Sequence, residues 1–241
     1  MNLFQKPTNE ICDVVFLTKT SNLDVHKMTS SAINSLKESE SNNNFRVILV
    51  ESQQNSKFLY DNVDVLLEFK ESEFNYNKAL NMAFDHIQSE FVSVFNNDVL
   101  FTEVWYSNLR LYMDVFGLDS ASPWCPLPQN GPKPEIQQAI LNYNPSTVVR
   151  GYEPILTFNG WGWVMRKNVL LDLLPLDENM KFWFQDNDMC MQLRQRGYVH
   201  GCVVDSHVIH FGQKSYTLID QNSLHSLTMG VYQDYIKKWV Q

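Results

Sequence analysis

Short apolar runs that alternate with helical patterns in the first hundred residues constrain the fold more than any other feature of this sequence. The runs are rich in β-branched and aromatic residues and lie at 11–18, 46–50, 63–69 and 91–95. Apolar spacing typical of a helix follows two of them, at residues 25–38 and 75–87. Strands and helices in this alternation predict βαβ units. We therefore expect an α/β fold with a mostly parallel sheet flanked by helices.

Composition and charge limit the function classes. The 241 residues suit one large domain or two small ones, and with 44% of them hydrophobic a core needs no disulfides. The 19 basic and 27 acidic side chains give a net charge of −8, which does not favour nucleic acid as a partner. The four cysteines form no CxxC pair and indicate neither a zinc site nor a disulfide framework. Without a signal-peptide pattern or a run of membrane-span length, a cytoplasmic protein is expected.

The second half of the chain is predicted to be less regular. Seven prolines between residues 120 and 154 predict a substrate loop with a helical insert near 135–141. Strand patterns then resume at 156–165 and 199–204, and helical patterns at 168–174, 186–196 and 223–239. Gly197 is placed to close the helix at 186–196, and Asp24 is placed to cap the first helix.

The fourth apolar run is followed directly by Asn96-Asn97-Asp98. In open α/β sheets, ligands collect beyond the carboxyl ends of the strands. A carboxylate there can hold a hard cation, which in turn can hold a diphosphate. Taken alone, the tripeptide is also good turn chemistry. Comparable polar clusters fall at other predicted strand ends or helix starts: Glu51-Ser52, Gln185-Asp186-Asn187-Asp188, and Asp205 with His207 and His210.

Over residues 13–215, the order of these motifs resembles the family 2 glycosyltransferases of the GT-A fold, which is Rossmann-like. The strands ending at Thr18 and Glu51 are similar to the two that open the family's nucleotide site, with Glu51 in the place of the usual aspartate. The segment 75–81 resembles the family's N-x-G-x-A-x-A-x-N stretch without its glycine. The resemblance therefore implies donor contacts at Thr18, Glu51 and Lys78.

Asn96-Asn97-Asp98 stands where the family's D-x-D motif stands, with an amide in place of the first aspartate. The resemblance implies a metal ligand at Asp98 and nucleotide-sugar contacts at Asn96 and Asn97. Residues 160–167 are similar to the small-residue strand before the family's acceptor helix. Trp161 in this segment is a candidate for stacking on the sugar, although it could equally fill the core.

The stretch 184–198 is the most specific match, because it resembles E-D-x-D-L-x-x-R-x-x-x-x-G-Y and combines two carboxylates, a helix and a closing glycine. The family's catalytic base falls on Asp186, at a helix N-terminus whose dipole favours the ionised carboxylate. Gln185 replaces the usual glutamate. The alternative for Asp186 is a helix cap, with Asp188 as a partner of the helix dipole.

Residues 205–215 resemble the family's P-D-A-V-V-x-H-x-G-x-x-S tail, which implies a second metal ligand at His210. Lys214 lies close to it and is the basic residue we would first test for a phosphate contact. The alternative for His210 is a hydrogen-bonded core histidine. His207 lies three residues earlier and would face the opposite side of a strand, so we expect it to be structural.

The resemblance implies a metal-dependent, inverting glycosyltransferase that moves a sugar from a nucleoside-diphosphate donor to a hydroxyl acceptor. An oxygen ligand with an imidazole suits Mn²⁺, and Mg²⁺ is the other candidate. Glycans, lipid-linked saccharides, proteins and modified nucleobases all stay open as acceptors. In one domain spanning 1–241, about residues 1–100 would form the nucleotide-binding half and about 101–241 the acceptor-side half.

Two other function classes are considered. A non-catalytic nucleotide-sugar-binding module is the main alternative, because Asn96 and Gln185 depart from the family motifs. The presence of Asp98, Asp186 and His210 favours the enzyme. A nucleotidyltransferase ranks last, because the turn after the first strand lacks the glycines of a phosphate loop.

Overall fold

The structure, a computed structural model, describes residues 11–40, 45–71, 73–127, 148–181, 183–212 and 221–240, with the side chains of the last segment described from residue 228. The strands in this part of the chain are β1 Cys12–Thr18, β2 Phe45–Glu51, β3 Val65–Glu68, β4 Phe91–Phe95, β5 Val99–Phe101, β6 Ser120–Trp124, β7 Val148–Arg150, β8 Gly162–Arg166 and β9 His200–His210. The helices are α1 Leu23–Glu38, α2 Tyr76–Phe84, α3 Trp105–Phe116, α4 Lys167–Leu173, α5 Gln185–Gln195 and α6 Gln221–Trp239. Within the described ranges, no helix is both long enough and apolar enough to cross a bilayer.

The first four strands form the parallel part of the sheet. β1 pairs in parallel with β2 on one side and β4 on the other, and β3 extends the edge beyond β2. Nearly all side chains of β1, β2 and β4 are buried, which explains why these strands are continuous apolar runs rather than alternating ones. Their carboxyl ends at Thr18, Glu51 and Phe95 therefore open on the same edge of the sheet.

The second half of the chain adds antiparallel strands. The order across the sheet is β3-β2-β1-β4-β8-β6-β9-β5, and β7 pairs with β9 outside this path. β8 runs antiparallel to β4 and β6, and β9 runs parallel to β6 but antiparallel to β5 and β7. The expected α/β class is confirmed, and the sheet as a whole is mixed because its parallel part is extended by these strands.

The prediction of a loop over residues 120–154 is wrong where β6 and β7 lie. β6 is buried along its whole length although it contains Pro123. The register of its pairing with β9 shifts between Pro123 and Trp124, and a residue without an N–H is tolerated at such an irregularity. The helical insert predicted at 135–141 lies outside the described residues.

Two strand boundaries also differ from the prediction. The strand expected at 156–165 begins only at Gly162, because the Glu153 carbonyl accepts hydrogen bonds from the N–H groups of residues 156–158 and holds a turn there. The strand expected at 199–204 continues to His210. This continuation matters for function, because it carries the predicted metal histidine on a sheet strand.

The caps of two helices come from residues that the sequence did not indicate. Asn22, rather than Asp24, caps α1, because its side chain accepts from the N–H groups of Asp24 and Val25. The start of α3 is satisfied by Glu40, whose Oε1 accepts from the N–H groups of Tyr106 and Ser107 at 2.8 and 2.9 Å. A cap from so distant a residue exists only in the folded chain.

His200 is a buried histidine that ties three segments together. Its Nε2 donates to the Thr157 carbonyl at 2.9 Å, and its Nδ1 is 2.7 Å from the Ser120 hydroxyl. The carbonyl can only accept, so Nε2 carries the proton and Nδ1 accepts from Ser120. Burial lowers the pKa of His200 from 6.5 to about 4.

We predict that the free energy of unfolding decreases as the pH falls from 6.5 to about 4, because the unfolded chain binds a proton at His200 that the folded chain excludes. The linkage amounts to roughly 3 kcal/mol over this range. Urea unfolding at several pH values should show a shallower pH dependence for His200→Gln than for the wild type. Equal pH dependence in the two proteins would contradict the assignment.

Candidate active site

Thr18 and Asn97 lie together at the carboxyl ends of β1 and β4. Asn97 Nδ2 donates to Thr18 Oγ1 at 3.2 Å and to Thr29 Oγ1 of α1 at 2.9 Å. Both Thr18 and Asn97 are buried. Their polar atoms therefore fix the strand ends against α1, and direct contact of either with a donor stays a prediction.

Glu51 is the last residue of β2. One of its carboxylate oxygens accepts hydrogen bonds, and the other accepts none from the described residues. Its Oε1 accepts from the N–H groups of Thr20 at 3.0 Å and Gln53 at 2.7 Å. Its Oε2 is buried and has no hydrogen-bond partner among the described residues. A buried acceptor without a donor is unfavourable by about 1–3 kcal/mol. This oxygen is therefore well suited to accept a hydrogen bond from an N–H or O–H group of a ligand.

An aromatic cluster that sequence reasoning missed lies beside Glu51. His26 of α1 stacks on Phe58 with 4.9 Å between ring centroids and contacts Tyr60 at 4.7 Å. The Tyr60 hydroxyl hydrogen-bonds with that of Thr20, whose N–H binds Glu51. The loop after β2 is thereby attached to α1, and no spacing rule in the sequence would have indicated this contact.

Asp98 and His210 are brought together by the pairing of β5 with β9. Val99 is opposite His210 in this antiparallel pair, and the N–H of Phe211 donates to the Asp98 carbonyl at 2.9 Å. Asp98 Oδ1 is 3.3 Å from His210 Nε2, and Asn96 Nδ2 is 3.4 Å from the same nitrogen. Three of the predicted site residues therefore converge on one point.

Trp161 connects this cluster to β4. Its indole stacks on the His210 imidazole, with 5.1 Å between centroids and 14° between planes. Its carbonyl accepts from the N–H of Asn96 at 2.8 Å. Trp161 is 9% exposed, so it is mainly a packing residue that orients the histidine. Contact of its remaining exposed edge with a sugar stays a prediction.

Asp186 lies in the first turn of α5, on the other side of the segment 159–162. A Cβ atom at Gly160 would lie 3.1 Å from Asp186 Oδ2, so the glycine leaves the space that this carboxylate occupies. The carboxylate faces a small pocket, which Tyr76, Asn77 and Gln185 also line. The predicted base and the Asp98–His210 cluster thus contact adjacent residues of one short segment, Gly160 and Trp161.

The electrostatic environment of Asp186 differs from the expectation. Burial raises its pKa above 3.8, although the N–H of Asn187 donates to Oδ1 at 2.9 Å and opposes this shift. The helix N-terminus favours the ionised form, but desolvation is the larger effect, so the net shift of the pKa is upward. Asp186 is also not the cap of α5, since the cap position is Phe184.

Two lysines were predicted to contact the donor, and the structure describes one of them, Lys78. Lys78 Nζ pairs with Glu71 at 2.9 Å on the partly exposed side of α2, and its role stays a prediction. Lys214 lies outside the described residues. His207 is exposed and on the opposite side of β9 from His210, as expected.

The side chains around Asp98 are of types that can hold a divalent cation. Asp98 offers a carboxylate and His210 an imidazole, which are ligand types that Mn²⁺ accepts. No group of three or more His, Cys, Asp or Glu side chains suited to a metal occurs within the described ranges. The donor set therefore fits a cation that takes its remaining ligands from another molecule, such as a diphosphate.

Comparison with known proteins agrees with this geometry. The family model for glycosyl transferase family 2 matches residues 24–174, more than half of the chain, and the chain belongs to this family. The matched range contains Glu51, Asp98 and Trp161 but ends before Asp186 and His210. No curated protein matches the chain.

Solved structures share the fold. S. aureus TarS 1-349 has 14% sequence identity and a TM-score of 0.57, with 82% of this chain and 59% of that chain covered. GalNAc-T7, solved with UDP, GalNAc and Mn²⁺, has 12% identity and a TM-score of 0.65, with 95% and 50% covered. These identities establish the GT-A fold alone. The present chain spans between half and three-fifths of the length of either structure.

We predict that Gly162→Ala destabilises the fold. A Cβ atom there would lie 2.5 Å from Cε1 of the Phe95 ring, which is buried among other aromatic rings and has little room to move. Overpacking of this kind costs about 1–3 kcal/mol. Gly230→Ala in α6 is the matched control, because no atom of the described residues outside the neighbouring backbone of α6 lies within 4 Å of the added carbon. Equal stability of the two variants in urea unfolding would contradict the packing argument.

Proposed function

We propose that the protein transfers a sugar from a nucleoside-diphosphate donor to a hydroxyl acceptor, with inversion at the anomeric carbon and with Asp186 as the base. The observation that carries the proposal is the segment 159–162. Gly160 makes room for the Asp186 carboxylate, and Trp161 stacks on the His210 that faces Asp98. Sugar transfer from a nucleoside diphosphate needs a base for the acceptor proton and a cation for the leaving diphosphate. The proposed base and the candidate cation site contact adjacent residues of this segment.

On the donor side, the open oxygen of Glu51 is the main recognition element. Oε2 accepts a hydrogen bond from an N–H of the nucleobase or a hydroxyl of the ribose. Membership of the family and the UDP in the GalNAc-T7 structure support a nucleotide as the ligand. The parallel half of the sheet, up to about residue 100, would be the nucleotide-binding half, and the remainder would face the acceptor.

On the metal side, Asp98 and His210 would hold Mn²⁺ or Mg²⁺. When bound, the cation neutralises charge that develops on the leaving diphosphate. The chain's own contribution is orientation: Trp161 fixes the plane of the His210 ring, and β5–β9 pairing fixes its distance from Asp98. With only one carboxylate in Asn96-Asn97-Asp98, the cation should bind weakly in the absence of nucleotide.

On the acceptor side, Asp186 removes the proton of the attacking hydroxyl. The raised pKa makes it a better base than an exposed aspartate once it is ionised. The pocket that Asp186 faces is small and is lined by Tyr76 and Asn77, so we infer that it receives the hydroxyl end of an acceptor. Glycan, lipid-linked saccharide, protein and modified nucleobase all stay open as acceptors, and a cytoplasmic location stays a prediction.

A non-catalytic nucleotide-sugar-binding module is the second candidate. The observation in its favour is that Asn96 and Gln185 stand where the family carries acidic residues. It differs from the enzyme in one measurable respect: it binds the donor and shows no turnover with any acceptor or water.

We predict that Asp186→Asn lowers kcat by about 10²- to 10⁴-fold, the range for loss of a general base. Donor binding should survive, because the amide is isosteric and Asp186 lies on the acceptor side. In the wild type, kcat/KM should fall as the pH falls through the pKa of Asp186, which lies above 3.8. Full activity of the variant with an unchanged pH profile would remove Asp186 from the base role.

We predict that Asp98→Ala abolishes the Mn²⁺-dependent part of donor binding. The measurement is thermal unfolding with UDP, GDP, CDP and TDP sugars, with and without Mn²⁺, because a ligand that binds only the native state raises its Tm. Asp85→Ala, an exposed aspartate at the end of α2, is the control and should behave as the wild type. An unchanged Mn²⁺ dependence in Asp98→Ala would contradict the metal assignment.

A further inference from the structure

The C-terminal helix α6 makes a set of contacts with the first turn of α5. Lys238 Nζ lies 2.8 Å from Asp188 Oδ1 and 2.9 Å from Asp177 Oδ2. Trp239 Nε1 donates to Asp188 Oδ1 at 2.7 Å, and Gln192 Nε2 donates to Asp188 Oδ2 at 2.8 Å. The Asp188 side chain is 2% exposed, so its charge depends on these partners.

The residue before α5 also depends on α6. Phe184 has a φ of +62°, in the left-handed region that is unfavourable for a residue with a Cβ atom, and it makes no side-chain cap. Its ring stacks on Tyr235 at 5.3 Å and contacts Tyr232 at 5.5 Å. The helix thus packs against the strained residue from which Gln185 and Asp186 follow.

The same contacts reach the far wall of the Asp186 pocket. The Asp177 carbonyl accepts from Asn77 Nδ2 at 2.8 Å, and Asn77 lines the pocket together with Asp186. Through Asp177 and Asp188, Lys238 therefore links the two sides of the pocket. The Asp186 carboxylate accepts from its neighbour's N–H, so its position follows the backbone of this turn.

We propose that α6 holds the catalytic base, Asp186, in position. Lys238 and Trp239 are the positioning residues, and they act through Asp188. The proposal rests on the proposed function, in which Asp186 takes the acceptor proton. Proton transfer requires heavy-atom distances of about 2.6–3.2 Å. A displacement of about 1 Å can lower the rate by 10²-fold, and loosening the first turn of α5 would produce such a displacement.

The test compares Lys238→Met, which keeps the apolar stem and removes the charge, with the conservative Lys238→Arg. Lys27→Met is the control, because it makes the same change at an exposed lysine of α1. Trp239→Phe keeps an aromatic ring and removes the N–H that donates a hydrogen bond to Asp188. For each full-length variant, kcat and KM for the donor are measured together with amide hydrogen exchange across residues 184–190.

We expect Lys238→Met to lower kcat by about 10- to 100-fold with an unchanged donor KM, and to speed exchange in residues 184–190 but not in β1 or β4. Lys238→Arg should recover most of the activity, Trp239→Phe should show the same changes to a smaller extent, and Lys27→Met should match the wild type. Unchanged exchange, or faster exchange with unchanged kcat, would overturn the proposal. If the wild type transfers no sugar, the proposed function has failed, and with it the role of α6 in positioning a base.

Discussion

The close packing of β8 against β4 is the constraint on which both sides of the site depend. Gly162 pairs with Phe95, and a Cβ atom there would lie within 2.5 Å of the ring. Because the strand can approach this closely, the Trp161 carbonyl reaches the N–H of Asn96 and the indole reaches His210. One residue earlier, Gly160 leaves room for Asp186. The two glycines therefore allow Asp186 and the candidate cation site to approach the same short segment.

Each carboxylate of the site has a different kind of partner. Glu51 has backbone N–H donors on one oxygen and no partner among the described residues on the other. Asp98 faces an imidazole, and Asp188 faces an ammonium and an indole N–H. Asp186 accepts from the backbone N–H of Asn187, and desolvation raises its pKa. Glu51 keeps an oxygen without a partner among the described residues, and Asp186 lacks a cationic partner of the kind that Asp188 has in Lys238.

Which parts of the fold and of the candidate site can be predicted from the sequence depends on how far apart in sequence the interacting residues are. β1, β2 and β4 were predicted well because strands buried on both faces leave an apolar run that needs no other information. β6 was missed because Pro123 is a breaker by local rules, and only the irregular pairing with β9 makes it tolerable. The pairing of Asp98 with His210 followed from the resemblance, whereas the stack of Trp161 on that histidine is a contact between distant residues that no local pattern encodes.

The same distinction explains why the net pKa shift of Asp186 could not be predicted from the sequence. A helix N-terminus favours an ionised carboxylate by about 0.3–1 kcal/mol, but at Asp186 desolvation is the larger effect and raises the pKa. Sequence position shows the first effect and hides the second. Asp188, two residues further along α5, is also buried, but Lys238 is supplied to it by α6. Because residues two positions apart on a helix lie on nearly opposite sides, the Lys238 ammonium reaches Asp188, whereas Asp186 lines the small pocket beside Gly160.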